Sequence, residues 1–101
     1  MARRYALVKL ISEKKLTDQQ FHETLDYTIK RYFGEVGFSR IDPRIMEFDS
    51  DSWTAIVSCE RSAVPELAAA LSLITKHAEV PFVILVLRVS GTIKNIRKRL
   101  K

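Results

Sequence analysis

The chain has 101 residues, a length that suits a single domain whose hydrophobic core needs no disulfide or metal. Its 47% hydrophobic and 29% charged residues are typical of a globular protein and exclude a disordered or low-complexity chain. The net charge of +5 comes from residues 88–101, which contain six Lys or Arg and no Asp or Glu, whereas the other 87 residues contain eleven basic and twelve acidic ones. A positive field concentrated at one end favours a polyanion, either nucleic acid or an anionic membrane.

The distribution of apolar residues favours a cytoplasmic protein without membrane attachment. The most apolar segment, 80–89, is too short to span a bilayer. The N-terminal stretch "MARRYALVKLISEKK" is interrupted by Lys9 and followed by charge, which does not fit a signal peptide. The single cysteine, Cys59, cannot form an internal disulfide and suits a reducing compartment.

The first predicted elements are a strand over residues 4–12 and a helix over 17–33. The strand carries apolar residues on both faces, as a central strand does. Thr17 and Gln20 form a capping box at the start of the helix, and Gly34 can end it in a left-handed conformation. The apolar stripe of this helix consists of Phe21, Leu25, Ile29 and Tyr32 or Phe33.

Two further strands are predicted over residues 38–48 and 53–60, joined by the turn sequence "DSDS" into a hairpin. Pro43 cannot donate a hydrogen bond to a neighbouring strand, so the first of the two should be an edge strand or contain a bulge.

The second half of the chain predicts a helix over 62–78, a strand over 81–90 and a final helix over 91–101. Ser62 is placed as the cap of the first of these helices, and Thr92 as the cap of the second. Their apolar stripes are Leu67, Leu71, Ile74 and Ala78 in the former, and Ile93, Ile96 and Leu100 in the latter.

The element order βαββαβ predicts an α+β fold: one ferredoxin-like, RRM-like α/β sandwich over residues 1–101, with a four-stranded antiparallel sheet plus a basic C-terminal helix. In this architecture helices cover one face of the sheet. The strands are nevertheless apolar on both sides, as Leu7 and Ile11 opposite Val8 show. We therefore expect the second face to be covered by the terminal helix, a second copy or another protein.

Two polar clusters contain residue types that can bind a metal ion. Glu47, Asp49 and Asp51 could hold Mg²⁺, but Asp and Ser residues in a hairpin are far more often a solvated turn. His22 and Asp26 lie one helical turn apart without an apparent third ligand, so an exposed helix face is favoured. We expect no metal and no cofactor in the protein.

A nucleophilic role for Cys59 would need a histidine partner, and nothing in the sequence pairs it with His77, which is placed at the end of the second helix. The segment Ser90-Gly91-Thr92 leads into a helix and could contact an RNA phosphate, or could simply connect strand and helix. It is not a Walker A loop. We expect no catalytic residues.

RNA-recognition domains stack bases on aromatic residues of the first and third strands, but the third strand here reads "WTAIVSCE". Tyr5 and Trp53 are the only aromatic residues available, and both stand at strand starts, so base stacking on the open sheet is disfavoured. The basic terminal helix, docked by its apolar residues, would instead present a cationic ridge to phosphates.

Three segments carry a resemblance to a known family. "RRY" in the first strand, "RVSGTIK" after the last strand and the basic end "IRKRLK" resemble the archaeal ribonuclease P protein component 2 family, over essentially the whole chain. The resemblance implies a non-catalytic protein subunit, whose RNA subunit removes the 5′ leader of precursor tRNA with bound Mg²⁺. It also implies binding to ribonuclease P RNA, indirect contact with precursor tRNA, pairing with protein component 3, and self-association as a dimer of heterodimers.

The family motifs supply the candidate RNA-binding residues. The first motif matches Arg3, Arg4 and Tyr5, and the second matches Ser90, Gly91, Thr92 and Lys94 together with Ile93. The remaining candidates rest on charge alone: Arg97, Lys98, Arg99 and Lys101.

Two alternatives come from other functional classes. Acylphosphatases share this fold and length, but they need a phosphate-cradling loop of the type "GxVQGVxxR" after the first strand, and "SEKKLTDQQ" contains no glycine. A ferredoxin-like protein-interaction or ligand-sensing module with an incidental basic tail stays open on the sequence.

Overall fold

The computed structural model describes residues 2–77 and 80–97. All strand pairs are antiparallel and the sheet order is β2-β3-β1-β5-β4. The predicted βαββαβ order is confirmed, with one extra two-residue strand, β4, at an edge. The elements are β1 Arg3–Ser12, α1 Asp18–Ile41, β2 Arg44–Asp49, β3 Thr54–Glu60, a 3-10 turn Arg61–Ala63, α2 Val64–Leu73, β4 Lys76–His77, β5 Val80–Ser90 and α3 Ile93–Arg97.

Both long helices pack on one face of the sheet and form the main core with it. The predicted stripe of α1 is confirmed, because Phe21, Leu25 and Ile29 are fully buried. The capping box is also confirmed: the Gln20 N–H donates to Thr17 Oγ1 at 3.1 Å, and the Thr17 N–H donates to Gln20 Oε1 at 2.9 Å. The periodicity of apolar residues therefore correctly predicts which side of α1 packs on the sheet.

The boundary between α1 and β2 differs from the prediction. Gly34 does have a positive φ of 73°, but the helix resumes after this kink and continues to Ile41. The left-handed end is Asp42, at φ 49°, whose N–H donates to the Phe38 carbonyl at 2.9 Å. The predicted strand over 38–48 is thus wrong at its start, because burial of Ile41 against the core holds this segment helical.

The second helix is also shorter than predicted. The Ser62 N–H donates to the Glu60 carboxylate at 2.6 Å, so Ser62 belongs to a 3-10 turn and does not cap α2. The helix ends at Leu73, and His77 lies in β4 rather than at the helix end. The Phe82 N–H donates to the Thr75 carbonyl at 2.9 Å, which holds the chain after α2 extended beside β5. The stripe residue Ala78 lies outside the described residues.

Within the residues that the structure describes, the second face of the sheet is covered only at its centre. Ile96 of α3 is fully buried against Leu7 and Ile56, and Tyr5 and Ile93 pack beside them. The terminal helix therefore supplies part of the predicted cover. The structure describes it only to Arg97, so its predicted extension with Lys98, Arg99, Leu100 and Lys101 lies outside the described residues.

Candidate nucleic-acid interface

The two family motifs meet at one end of the sheet. Tyr5 of β1 is the cross-strand partner of Ser90 of β5, although the two are 85 positions apart in the chain. Continuing this register by one residue places Arg4 opposite Gly91. The sheet therefore brings "RRY" and "SGT" together as a single surface next to the start of α3.

Arg4 approaches Gly91 closely. A Cβ atom added to Gly91 would lie 3.3 Å from Arg4 Nη1 and 3.7 Å from Arg4 Cζ. The same Nη1 donates to the Arg3 carbonyl at 3.3 Å. Within 2–77 and 80–97, no carboxylate forms an ion pair with Arg4, so its positive charge is available to an external anion.

The guanidinium group of the neighbouring residue, Arg3, donates hydrogen bonds to other residues of the protein. Its Nη1 donates to Asp42 Oδ2 at 2.8 Å, and its Nη2 donates to the Asp42 carbonyl at 2.7 Å and to Ser58 Oγ at 2.8 Å. The side chain is 17% exposed. Arg3 thereby ties the start of β1 to the end of α1 and satisfies the fully buried Ser58 hydroxyl. The RNA-binding role predicted for Arg3 stays a prediction.

The two aromatic residues at the strand starts are committed to packing. Tyr5 packs against the cluster of Leu7, Ile56 and Ile96 beneath α3. Trp53 packs against the main core and has a positive φ of 59°, which a bulky residue adopts only when its surroundings hold it there. These packing roles suit the expectation that bases do not stack on an open sheet.

The connection from β5 to α3 uses its own hydroxyl groups. Ser90 Oγ accepts from the Thr92 N–H at 3.2 Å, and Thr92 Oγ1 accepts from the Asn95 N–H at 3.3 Å. Thr92 therefore caps α3, as the sequence predicts. Lys94 is exposed on α3, and Arg97 is the last described residue of that helix.

Arg40, Arg44 and Arg61 also lie at this end, and the sequence did not predict them as RNA-binding residues. Arg3, Arg40 and Arg44 line a shallow cleft of about 310 Å³ together with Ala2, Ser39, Asp42 and Glu60. Arg40 pairs with Glu66 at 2.7 Å and Arg44 pairs with Asp42 at 3.0 Å, so their charges are partly neutralised. The Arg61 N–H donates to the Ala2 carbonyl at 3.1 Å, which places Arg61 beside the start of β1. The register of β1 and β3 alone could have indicated that Arg61 lies at this end, because Arg61 directly follows Glu60, the cross-strand partner of Arg3.

The acidic hairpin has the geometry of a turn. Asp49 Oδ1 accepts from the backbone N–H groups of Asp51 at 2.9 Å and Ser52 at 3.3 Å. Hydrogen bonds from Ser52, and then from the Asp51 N–H, hold the pKa of the Asp49 carboxyl below its usual value. His22 Nε2 lies 3.0 Å from Asp26 Oδ2 on an exposed helix face. Across the described ranges, no group of three or more His, Cys, Asp or Glu residues is arranged to hold a metal ion.

Cys59 lies in the main core, and burial raises the pKa of its thiol to about 11. A thiol in this state is a poor nucleophile at neutral pH. His77, its predicted possible partner, lies in β4 at the far edge of the sheet, next to β5, whereas β3 lies on the other side of β1. As for membranes, none of the helices that the structure describes combines the length and the apolar character that crossing a bilayer requires.

This chain is similar in sequence to archaeal proteins and similar in fold to one solved structure. Ribonuclease P protein component 2 of Pyrococcus furiosus is 31% identical over 97 residues, covering 96% of this chain and 81% of that protein. The protein of the same name from Archaeoglobus fulgidus is 33% identical over 97 residues, covering 96% of this chain and 86% of its own length. A chain in the cryo-EM structure of yeast ribonuclease MRP superposes with a TM-score of 0.75, covering 98% of this chain and 91% of that chain. At 12% identity, this last likeness shows the fold alone.

A family model also matches this chain. The model of the Rpp14/Pop5 family matches residues 4–101, a span that includes Arg4, Tyr5 and the whole second motif around Gly91. Since the model and the archaeal relatives each cover nearly the whole sequence, the chain belongs to the Rpp14/Pop5 family.

Proposed function

We propose that this protein is a non-catalytic subunit of ribonuclease P, which assists the catalytic RNA in removing the 5′ leader of precursor tRNA. The observation that carries the proposal is the similarity to ribonuclease P protein component 2 over 96% of this chain and 81% to 86% of those proteins. The Mg²⁺ required for cleavage belongs to the RNA subunit. The buried Cys59 and the solvated Asp49 turn supply no competing catalytic constellation.

The RNA-binding surface in this proposal is centred on Arg4 and the basic end of the chain. Arg4 has no carboxylate partner in the part of the chain that the structure describes, and it lies beside Gly91 and the loop to α3. Ser90, Gly91 and Thr92 shape that loop, Tyr5 pairs with Ser90 across the strands, and Arg3 anchors the start of β1 through Asp42 and Ser58. The charged contacts to phosphates come from Arg4, Lys94, Arg97, Lys98, Arg99 and Lys101.

The protein partners in this proposal are component 3 and a second copy, assembled as a dimer of heterodimers in the cytoplasm. The apolar surface that α3 leaves uncovered supports such association, since Ile11, Val83 and Leu85 are each about half exposed. A soluble monomer exposes contiguous apolar area of this kind at the risk of aggregation, and a bound protein removes that risk.

Reconstitution tests the proposed function directly. The purified protein, the cognate RNA subunit and component 3 should together cleave precursor tRNA, with the protein lowering the Mg²⁺ or salt sensitivity of the reaction. The protein alone should not cleave RNA, and Asp49→Ala with Asp51→Ala should leave the reconstituted activity unchanged. A reaction that proceeds identically with and without the protein at every salt and Mg²⁺ concentration would contradict the proposal.

The basic surface has its own test. Changing Lys94, Arg97, Lys98 and Arg99 to Ala should weaken RNA binding and flatten its salt dependence, because each lost phosphate contact removes roughly one unit or less from the slope of log affinity against log salt. Glu23→Ala with Asp26→Ala on α1 serves as the control and should not reduce that slope. An unchanged slope in the four-residue variant would place the RNA site elsewhere.

A further inference from the structure

Two tyrosines and two cations form an exposed group on the solvent side of α1. Tyr27 and Tyr32 are 63% and 54% exposed, and no other aromatic residue in the described part of the chain is as open to solvent. Lys30 and Arg31 lie between them in the chain and are also exposed. The sequence left open whether Tyr32 or Phe33 completes the apolar stripe, and Phe33 is the one that packs against the main core. We call Tyr27, Lys30, Arg31 and Tyr32 the α1 cluster.

Contacts within the α1 cluster hold its planar groups in place. Arg31 Nη1 donates to the Tyr27 hydroxyl at 3.2 Å, and Arg31 Cζ lies 5.9 Å from the centre of the Tyr32 ring. The guanidinium therefore bridges two rings that are about 7.5 Å apart along the helix axis, which leaves room for a separate planar ligand at each ring. A side chain that is already held by its neighbours loses less conformational freedom when a ligand packs on it.

The cations of the α1 cluster are paired with rings rather than with carboxylates. Lys30 Nζ lies 4.7 Å from the centre of the Phe38 ring, just as Arg31 lies over a tyrosine. Among the described residues, no carboxylate forms an ion pair with either cation. Residues 27–33 contain no Asp or Glu. Since a ring attracts a cation without neutralising its charge, both positive charges remain available to an external anion.

The chemistry of the α1 cluster favours RNA over a protein partner. Leu25 and Ile29, the aliphatic residues of α1 within 18–33, are both buried and add no apolar surface to the cluster. The exposed Val36 lies beyond the kink at Gly34. The centre of a protein interface is typically apolar and poor in charge. Flat rings beside unpaired cations match instead a nucleobase that stacks and a phosphate that pairs with the charge.

We propose that the α1 cluster binds an unpaired stretch of RNA, with bases stacked on Tyr27 and Tyr32 and phosphates paired with Lys30 and Arg31. The proposal rests on the RNA-binding role in the proposed function and adds a second contact surface to it. The two surfaces are separate, because α1 packs on the side of the sheet opposite α3. On α1 the rings are open to bases, whereas the aromatic residues at the strand starts are committed to packing.

The test measures binding of a short RNA that has no folded structure. Fluorescein-labelled oligoadenylate of about eight nucleotides is titrated with the full-length protein at low and at high salt, and fluorescence anisotropy reports binding. Tyr32→Ala should weaken binding about fivefold or more at both salt concentrations, because stacking contributes to affinity independently of counterion release. Tyr32→Phe keeps the ring and should bind within about twofold of wild type. Arg31→Ala should lower the slope of log affinity against log salt by roughly one unit or less.

A matched control and a second variant make the test specific. Val36→Ala changes an exposed residue of the same helix outside the α1 cluster and should leave the affinity for oligoadenylate unchanged. Circular dichroism checks that each variant is folded. If Tyr32→Ala fails to fold, Tyr27→Ala provides the same comparison at the other exposed ring.

The remaining outcomes overturn the proposal. Wild-type protein that does not bind oligoadenylate, or alanine variants of both tyrosines that bind it as tightly as wild type, shows that the α1 cluster is not an RNA site. Loss of component 3 binding by Tyr32→Ala, with unchanged affinity for oligoadenylate, assigns the cluster to a protein partner instead. Reconstituted cleavage of precursor tRNA is assayed in parallel with wild type. Cleavage that does not depend on the protein counts against the proposed function, whereas protein-dependent cleavage without oligoadenylate binding counts against the α1 site alone.

Discussion

The two faces of the sheet are built on different principles. The helix face is closed by two helices, and its central residues, among them Val8 and Val57, are fully buried. Among the described residues, α3 closes the opposite face only at its centre, through Ile96 over Leu7 and Ile56. The first face accounts for the stability of the fold, whereas the second leaves surface free for partners.

Two adjacent arginines also lie on different faces of the sheet, but here the residue that is locked inside the protein lies on the α3 face. Arg3, on the face of Tyr5 and Leu7, is locked by Asp42 and Ser58, whereas Arg4 lies opposite Gly91 with its charge unpaired by any described carboxylate. Neighbouring residues of a strand point to opposite faces, so a single motif can supply both an anchor and a ligand-binding group. Motif membership alone therefore does not assign a function to each residue.

The largest expected effect comes from a matched pair of isoleucines, one on each face. Ile29→Ala on the helix face should lower the free energy of unfolding by about 2–5 kcal/mol, because it leaves a cavity in the main core. Ile96→Ala should cost no more than about half as much as Ile29→Ala, since α3 can undock locally while the rest stays folded. Chemical denaturation of both variants measures the difference. Equal losses would show that α3 is as integral to the core as α1.

A smaller effect is expected at the two arginines. Arg3→Ala should lower the free energy of unfolding by about 1–3 kcal/mol, because it leaves the buried Ser58 hydroxyl without its Arg3 donor and removes one of the two arginines that pair with Asp42. Arg4→Ala should change stability by less than about 0.5 kcal/mol, because the half-buried side chain forms no ion pair with a described carboxylate, while weakening RNA binding. Denaturation and RNA titration of both variants check this division. A reversed pattern, with Arg4 controlling stability and Arg3 controlling affinity, would contradict the assignment.

The sequence predicted those parts of the fold that depend on local periodicity. The stripe of Phe21, Leu25 and Ile29, the Thr17 capping box and the strands β1, β3 and β5 were predicted because each signal lies within one turn or one strand. The end of α1 was missed because Phe38 and Ile41 also suit a strand, and only packing against the core decides between the two. Likewise, α2 ends early because Thr75 accepts from Phe82, a contact that local sequence does not show.

The candidate site was predictable in its charge but not in its contacts. Composition alone located the positive field at residues 88–101. It could not show that Asp42 neutralises Arg3, because 39 residues separate the two and their contact depends on where α1 ends. It also could not show that Gly91 lies against Arg4, which follows only once the β1–β5 register is known.

The helix face also sets the chemistry of Cys59, which provides a pH-dependent test. Burial raises the pKa of this thiol from 9.0 to about 11, so the folded state favours the neutral form. This contribution to stability is fully present below pH 9 and is lost as the pH rises through 11. Between those values, wild type should lose more stability than Cys59→Ala, and at pH 8 the thiol should react with iodoacetamide only when the protein unfolds. Rapid alkylation at pH 8 would show that the helix face opens without global unfolding.

The smallest effect on stability, and the sharpest test of the interface, is expected at Gly91. An added Cβ would lie 3.3 Å from Arg4 Nη1, closer than carbon and nitrogen normally approach, and the flexible end of Arg4 can move away at little cost. Gly91→Ala should therefore leave the free energy of unfolding within about 0.5 kcal/mol of wild type. It should still weaken RNA binding up to about fivefold, since an exposed charged contact contributes on the order of 1 kcal/mol.

In an Arg4→Ala background, Gly91→Ala should have no further effect on affinity, because the side chain that it displaces is already absent. RNA titrations of the two single variants and the double variant measure this coupling. Additive losses would mean that Gly91 acts independently of Arg4, and the close approach of the two would then have no role in RNA binding.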